Sequence, residues 1–177
     1  MWEFIRDHPL YPYIVSRLQD TGFYRIIEIS QLQFDWALIT AMIKRWRPET
    51  HTFHLPIDEA TITLEDVEIL FGLPVDGLPR LTAFQPAEET ALSGASRLQL
   101  TPVRQHLVEM NVEITDDSPA EDIDWHTRLF LLLMFGGVLF PNTSGNLASL
   151  RFIHHLERLD DLPSYSWGAA VLGYLYR

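Results

Sequence analysis

Arg45-Trp46-Arg47-Pro48-Glu49-Thr50-His51-Thr52-Phe53-His54-Leu55-Pro56 is the stretch on which the fold turns, together with Thr61-Ile62-Thr63-Leu64-Glu65-Asp66-Val67 and Leu70-Phe71-Gly72-Leu73-Pro74-Val75-Asp76-Gly77 just beyond it. Pro48 disfavours the α region for the residue before it, so a helix arriving from Phe34 stops near Trp46. Thr50 to Leu55 alternates in strand-favouring residues, Pro56 to Glu59 reads as a turn, and Ala60 to Thr63 returns as a second short strand. This hairpin is the one convincing β signal, with Phe53, Leu55 and Ile62 expected to pack on helices. Thr63 with Asp66 three residues later forms a capping-box pattern for a helix from Leu64 to Phe71, and Gly72 and Pro74 end it.

Outward from this stretch the periodicity is helical. Helical spacing predicts helices over about 9–19 and 34–46, with Leu10, Tyr13, Ile14, Arg17 and Leu18 recurring in the first. Thr101-Pro102 opens a helix to about Met110. Ser118-Pro119-Ala120-Glu121 combines a serine cap, a first-turn proline and a capping-box glutamate, and predicts a helix to about Phe135. Gly136-Gly137 then allows a sharp change of direction. Leu147 to Leu159 is expected to be helical, burying Leu150, Ile153, His154 and Leu156, and a last helix runs from about Tyr165 with Leu172, Leu175 and Tyr176 as an apolar face. Residues 78–100 show no sustained period and are expected to be an internal loop or linker, with a short helix near 87–92 as an alternative. Trp46 and Trp167 are expected in the core. The fold class is mainly α: a helical domain with one small β-hairpin packed on it.

Bulk properties narrow the function. The 177 residues are 47% hydrophobic and 21% charged, an ordinary globular composition for one domain. With zero cysteines, disulfide frameworks, thiolate metal sites and a cysteine nucleophile are excluded. A net charge of −11, with one basic cluster at Lys44-Arg45-Trp46-Arg47, disfavours direct nucleic-acid binding, which needs a broad cationic face. Charges in Met1 to Asp7 argue against a signal peptide, and the apolar run Leu129 to Phe140 is too short to span a bilayer.

His51 and His54 lie three apart, which on a strand sends their rings to opposite faces and argues against a metal pair. The acidic pairs Glu65-Asp66, Glu88-Glu89, Asp116-Asp117 and Asp160-Asp161, and the cluster Glu121, Asp122 and Asp124, stand mostly at predicted helix starts and turns, where the backbone itself favours them. A divalent-metal nuclease would need three of these carboxylates to converge. No Gly-x-Ser-x-Gly elbow is present. The helix at Leu64–Phe71 resembles half of a helix-turn-helix, but Pro74 to Pro79 cannot form the recognition helix. Arg45 and Arg47 are read either as interface arginines or as partners of internal acids.

A second block, Gly136-Gly137-Val138-Leu139-Phe140-Pro141-Asn142, Ser144-Gly145-Asn146 and Tyr165-Ser166-Trp167-Gly168-Ala169-Ala170-Val171-Leu172, joins the first in a common pattern. Together, from about His8 to Arg177, they resemble the plant mobile domain, a family also labelled "aminotransferase-like". That label would require a Schiff-base lysine and a phosphate cradle. Lys44, the sole lysine, stands beside Arg45 with no glycine-rich phosphate loop after a strand, so no cofactor is expected. The resemblance implies a non-enzymatic nuclear protein of meristem maintenance and transposable-element silencing. It also implies a protein partner, phosphatase 7-like, and a domain that continues beyond Arg177. Arg45, Arg47, His51 and His54 are the candidate partner-binding residues. The competing expectations are a mobile-element-derived metal nuclease and a direct DNA reader.

Overall fold

A computed structural model describes residues 2–77, 97–142 and 144–176. The fold is mainly helical, with a small antiparallel sheet packed on it. In chain order the elements begin with helices α1 (Trp2–Asp7), α2 (Pro12–Asp20), α3 (Tyr24–Ser30) and α4 (Trp36–Ile43). Strands β1 (Trp46–Arg47), β2 (Thr52–His54) and β3 (Glu59–Ala60) follow, then α5 (Leu64–Phe71). Beyond these come β4 (Arg97–Gln99), α6 (Leu100–Glu113), α7 (Ala120–Met134), a π-helical turn Phe135–Leu139, β5 (Leu147–Ser149), α8 (Arg151–Leu156), a 3-10 turn Leu159–Ser164 and α9 (Trp167–Leu175).

Helix α7 is the axis of the core. Its last five residues, Phe130 to Met134, are buried on every side, and α2, α6 and α8 pack around the helix. The aromatic centre is Phe135, whose ring lies 5.1 Å from Phe23, 5.3 Å from Phe152, 4.9 Å from Trp167 and 6.0 Å from Phe140. Trp167 is buried as expected and donates its indole N–H to the Leu162 carbonyl at 2.9 Å. Arg17 of α2 ties the periphery together: it donates to Asp124 of α7 at 2.7 Å and to Asp160 at 2.7 Å.

The capping box at α5 forms as its sequence dictates. The Thr63 hydroxyl accepts the Asp66 N–H, the Asp66 carboxylate accepts the Thr63 N–H at 2.8 Å, and Gly72 closes the helix in the left-handed region at φ 66°. Accepting these bonds holds the Asp66 carboxyl below its ordinary pKa.

The two motif blocks meet in space. Gly168, at the start of α9, donates its N–H to the Pro74 carbonyl at 2.9 Å, and a Cβ there would stand 2.8 Å from the Val75 side chain. The Ser166 hydroxyl donates to the Val75 carbonyl at 2.5 Å. A Cβ on Gly136 would lie 2.5 Å from the Ala148 Cβ, so this glycine is what lets β5 cross the π turn. These motif residues are therefore packing junctions between distant segments.

Several expectations are corrected. Helices α1 and α3 have no counterpart in the periodicity reading, because each is under two turns long. The expected helix 34–46 covers only Trp36–Ile43; Asp35 caps it through the Ala37 and Leu38 N–H groups, and Trp46 and Arg47 join β2 as a third strand. Of the expected 78–100 loop, residues 78–96, with the alternative helix, lie outside the described residues. Arg97–Gln99 form β4. Its antiparallel partner is β5, so Leu147–Ser149 are strand instead of helix, with Arg97 opposite Ser149. Strand β4 supplies long-range hydrogen bonds that local periodicity does not record.

At Ser118 the expected serine cap is absent. Pro119 occupies the cap position, and the Ser118 hydroxyl accepts the Thr115 N–H at 2.8 Å. Gly136-Gly137 continues the helix as a π turn without a sharp reversal. In α8 the buried residues are Phe152, His155 and Leu156, while Ile153 and His154 are exposed. Leu55 is exposed, and Trp46 is half-buried on the sheet, outside the core. Among the described residues no helix is long and apolar enough to cross a membrane.

Candidate interaction surface

The three short strands sort the candidate residues onto two faces. Trp46 pairs with Phe53, and Phe53 with Ala60, so these share one face; Arg47 pairs with Thr52, and His54 with Glu59, so these share the other. On the first face the Trp46 and Phe53 rings lie 4.8 Å apart, and Tyr176 from the end of α9 covers them, 6.5 Å from Trp46. The Tyr176 hydroxyl donates to the Ile62 carbonyl, and its oxygen lies 2.8 Å from the Thr61 hydroxyl oxygen. This is how α9 ends: Tyr176 is engaged on the sheet, Leu172 is half-buried and Leu175 is exposed, so the expected free apolar face is narrower than the sequence implies.

His51 belongs to this first face. It sits in the connection between β1 and β2 at φ 54°, a conformation few non-glycine residues adopt. The Thr61 hydroxyl donates to its carbonyl at 2.8 Å, and its ring packs 4.9 Å from Tyr176, which together hold that backbone in place. Strained backbone of this kind persists where the surroundings over-determine it.

Arg47 and His54 lie on the opposite, outward face. The His54 Nε2 is 3.2 Å from a Glu59 carboxylate oxygen, and the Thr52 hydroxyl donates to the same carboxylate at 3.3 Å. Arg45 follows the C-terminus of α4, donating to the Ala41 carbonyl at 3.2 Å. Among the described residues neither Arg45 nor Arg47 makes an ion pair with an acid, and both are exposed. The sheet therefore brings Arg45, Arg47 and His54 into one neighbourhood and places His51 behind them as part of an aromatic support. Sequence reasoning missed Tyr176 and Thr61, whose roles depend on contacts spanning more than a hundred residues.

An apolar helix adjoins this surface. No residue of α4 is buried: Trp36 is 71% exposed, Leu38 59% and Ile43 67%. At its N-terminal end, Trp2, Leu32, Phe34 and Trp36 line an open cleft of about 780 Å³. A second cleft, about 440 Å³, lies between α7 and α8 and is lined by Leu98, Trp125, Leu129, Leu132, Ile153 and Leu156. Its one cation, Arg128, is already engaged, donating to the Leu156 carbonyl at 2.9 Å. Among the described residues no group of three or more His, Asp or Glu side chains is placed to hold a metal ion.

These features define a mainly helical domain whose sequence motifs are spent on packing junctions and whose unpaired cations lie on the surface. The plant mobile domain family model matches residues 22–177, and the chain belongs to that family. Three proteins of Arabidopsis thaliana are among those it is similar to. The serine/threonine-protein phosphatase 7 long form homolog is 38% identical over 98% of this chain and 14% of its own length. Protein MAIN-LIKE 2 is 33% identical over 95% of this chain and 26% of its own length. Protein MAINTENANCE OF MERISTEMS is 32% identical over 92% of this chain and 36% of its own length. The chain thus spans between about one seventh and just over one third of these relatives. No solved structure matches it.

Proposed function

We propose that this chain is a non-enzymatic nuclear protein-interaction module acting in meristem maintenance and transposable-element silencing, and that Arg45, Arg47 and His54 present its partner-binding face with His51 behind them. The observation that carries the reading is the pair of exposed arginines, unpaired with acids among the described residues, set on a sheet whose reverse is braced by Trp46, Phe53 and Tyr176. Arginine presented on a rigid support loses little freedom on binding and forms forked contacts with carboxylates. Family membership and the names of the relatives support the biological setting. One relative is named as a phosphatase 7 homolog, which favours a phosphatase 7-like protein as the partner class.

The test is affinity purification of the tagged protein from plant nuclei, beside the double variant Arg45→Glu/Arg47→Glu. The wild type is expected to bring down a phosphatase 7-like protein, and the variant to lose at least nine-tenths of it. Equal recovery by both would remove the arginines from the surface. Absence of any protein partner, with nuclease activity or DNA in the preparation, would replace the reading with the metal-nuclease or DNA-reader alternative.

A further inference from the structure

Helix α4 breaks the rule that apolar helices are buried. Its eight residues, Trp36-Ala37-Leu38-Ile39-Thr40-Ala41-Met42-Ile43, carry no charge, yet none of them is buried. Trp36, Thr40 and Ile43 recur at helical spacing and all three are exposed, making one continuous outward stripe. The charges stand at its two ends and have opposite sign: Asp35 at the N-cap and Lys44 at the C-cap. Asp35 uses Oδ1 for the cap, accepting the Ala37 N–H at 2.9 Å and the Leu38 N–H at 3.1 Å. Lys44 has no ion pair with an acid among the described residues.

A helix with an apolar middle, an acid at one end and a base at the other is complementary to itself when inverted. We infer that α4 pairs antiparallel with α4 of a second copy of this chain, about a two-fold axis near Thr40. In that arrangement Asp35 of each copy meets Lys44 of the other, and Ile43 of each packs against the Trp36 and Phe34 rings at the opposite end. Two-fold contacts use the same patch on both molecules, which is what this symmetric pattern supplies. The pairing burdens each copy with the repulsion of two chains of charge −11, so it strengthens as salt screens that long-range term. It goes beyond the partner reading, uses neither Arg45 nor Arg47, and can fail without touching it.

Sedimentation velocity of the 177-residue chain over a range of concentrations tests it. The expected result is a concentration-dependent shift from the 20.5 kDa monomer to twice that mass. Ile43→Glu should weaken self-association at least tenfold while leaving the thermal melt of the monomer unchanged, because Ile43 is exposed. The decisive comparison is charge exchange. Lys44→Glu alone and Asp35→Lys alone should each be monomeric, and their equimolar mixture should recover the dimer, since both ends of the mixed pair are again opposite in sign. Because Asp35→Lys also removes a helix cap, Asp35→Asn serves as the variant that retains the cap and should still weaken the dimer several-fold. A chain that stays monomeric throughout, a dimer indifferent to Ile43→Glu, or a mixture that fails to recover association would each overturn the inference.

Discussion

Replacing Phe135 with alanine is expected to cost about 3–5 kcal/mol, a large share of the stability of an ordinary domain. Phe135 is fully buried and contacts four other aromatic rings drawn from the α2–α3 connection, the residue after the π turn, α8 and α9. Truncation removes a large apolar surface and leaves a cavity that these rings cannot collapse into, because each is fixed by its own neighbours. Phe135→Leu should cost far less, about 1–2 kcal/mol, since it retains most of the volume. Val112→Ala, on the exposed side of α6, should change stability by under about 0.5 kcal/mol. Urea denaturation followed by tryptophan fluorescence reads all three. A Phe135→Ala midpoint close to that of Val112→Ala would mean that the aromatic cluster is not the centre of the core.

The second large effect is acid lability set by His126. This side chain is fully buried in α7, and neither ring nitrogen has a hydrogen-bond partner among the described residues. Burial pushes its pKa down from 6.5 to about 4, and the neighbouring His8 and His106 act in the same direction. His8, its ring 6.0 Å away, is itself lowered by burial. The folded state therefore holds His126 neutral, while the unfolded chain protonates it below pH 6.5. Its contribution to stability is fully present above that pH and is lost as pH falls from 6.5 towards 4, by an amount of the order of 3 kcal/mol. His126→Leu should abolish most of that slope and leave stability at pH 7 equal or higher, because two unpartnered polar atoms leave the core. Unfolding free energies between pH 7 and pH 4.5 check it. An identical slope in wild type and variant would assign the acid response elsewhere.

Phe135 and His126 also mark the boundary of what the sequence makes legible. The capping box at Thr63 and the stop at Gly72 are written in adjacent residues, and the structure carries both, whereas α4 ends at Ile43, before the break expected at Pro48. The β4–β5 pairing depends on Arg97 meeting Ser149 across a large separation, so Leu147–Ser149 read as helix until their partner is seen. His126 lies in a mixed polar and apolar stretch of α7, and its neighbour His8 comes from the far end of the chain, which local spacing does not record. For the candidate surface, Arg45 and Arg47 stand out as the one basic cluster of an acidic chain. The face they share with His54 follows only from the register of the three strands. His51 separates from them for the same reason, its left-handed backbone turning it towards Tyr176.

The motif blocks teach a further point. At Gly136, Gly168 and Pro74 distant segments of the chain cross closely. These residues serve packing in this fold, whereas the proposed function rests on a different surface.

Direct binding tests that surface most plainly. Isothermal titration of the purified chain with a purified phosphatase 7-like protein, at low and at elevated salt, asks whether the arginine face docks a protein. The account predicts saturable one-to-one binding per chain, weakened by salt and reduced at least tenfold by Arg45→Glu/Arg47→Glu, with the thermal melt of the variant unchanged. Binding of equal strength in wild type and variant, or no heat from either at any salt, would contradict it.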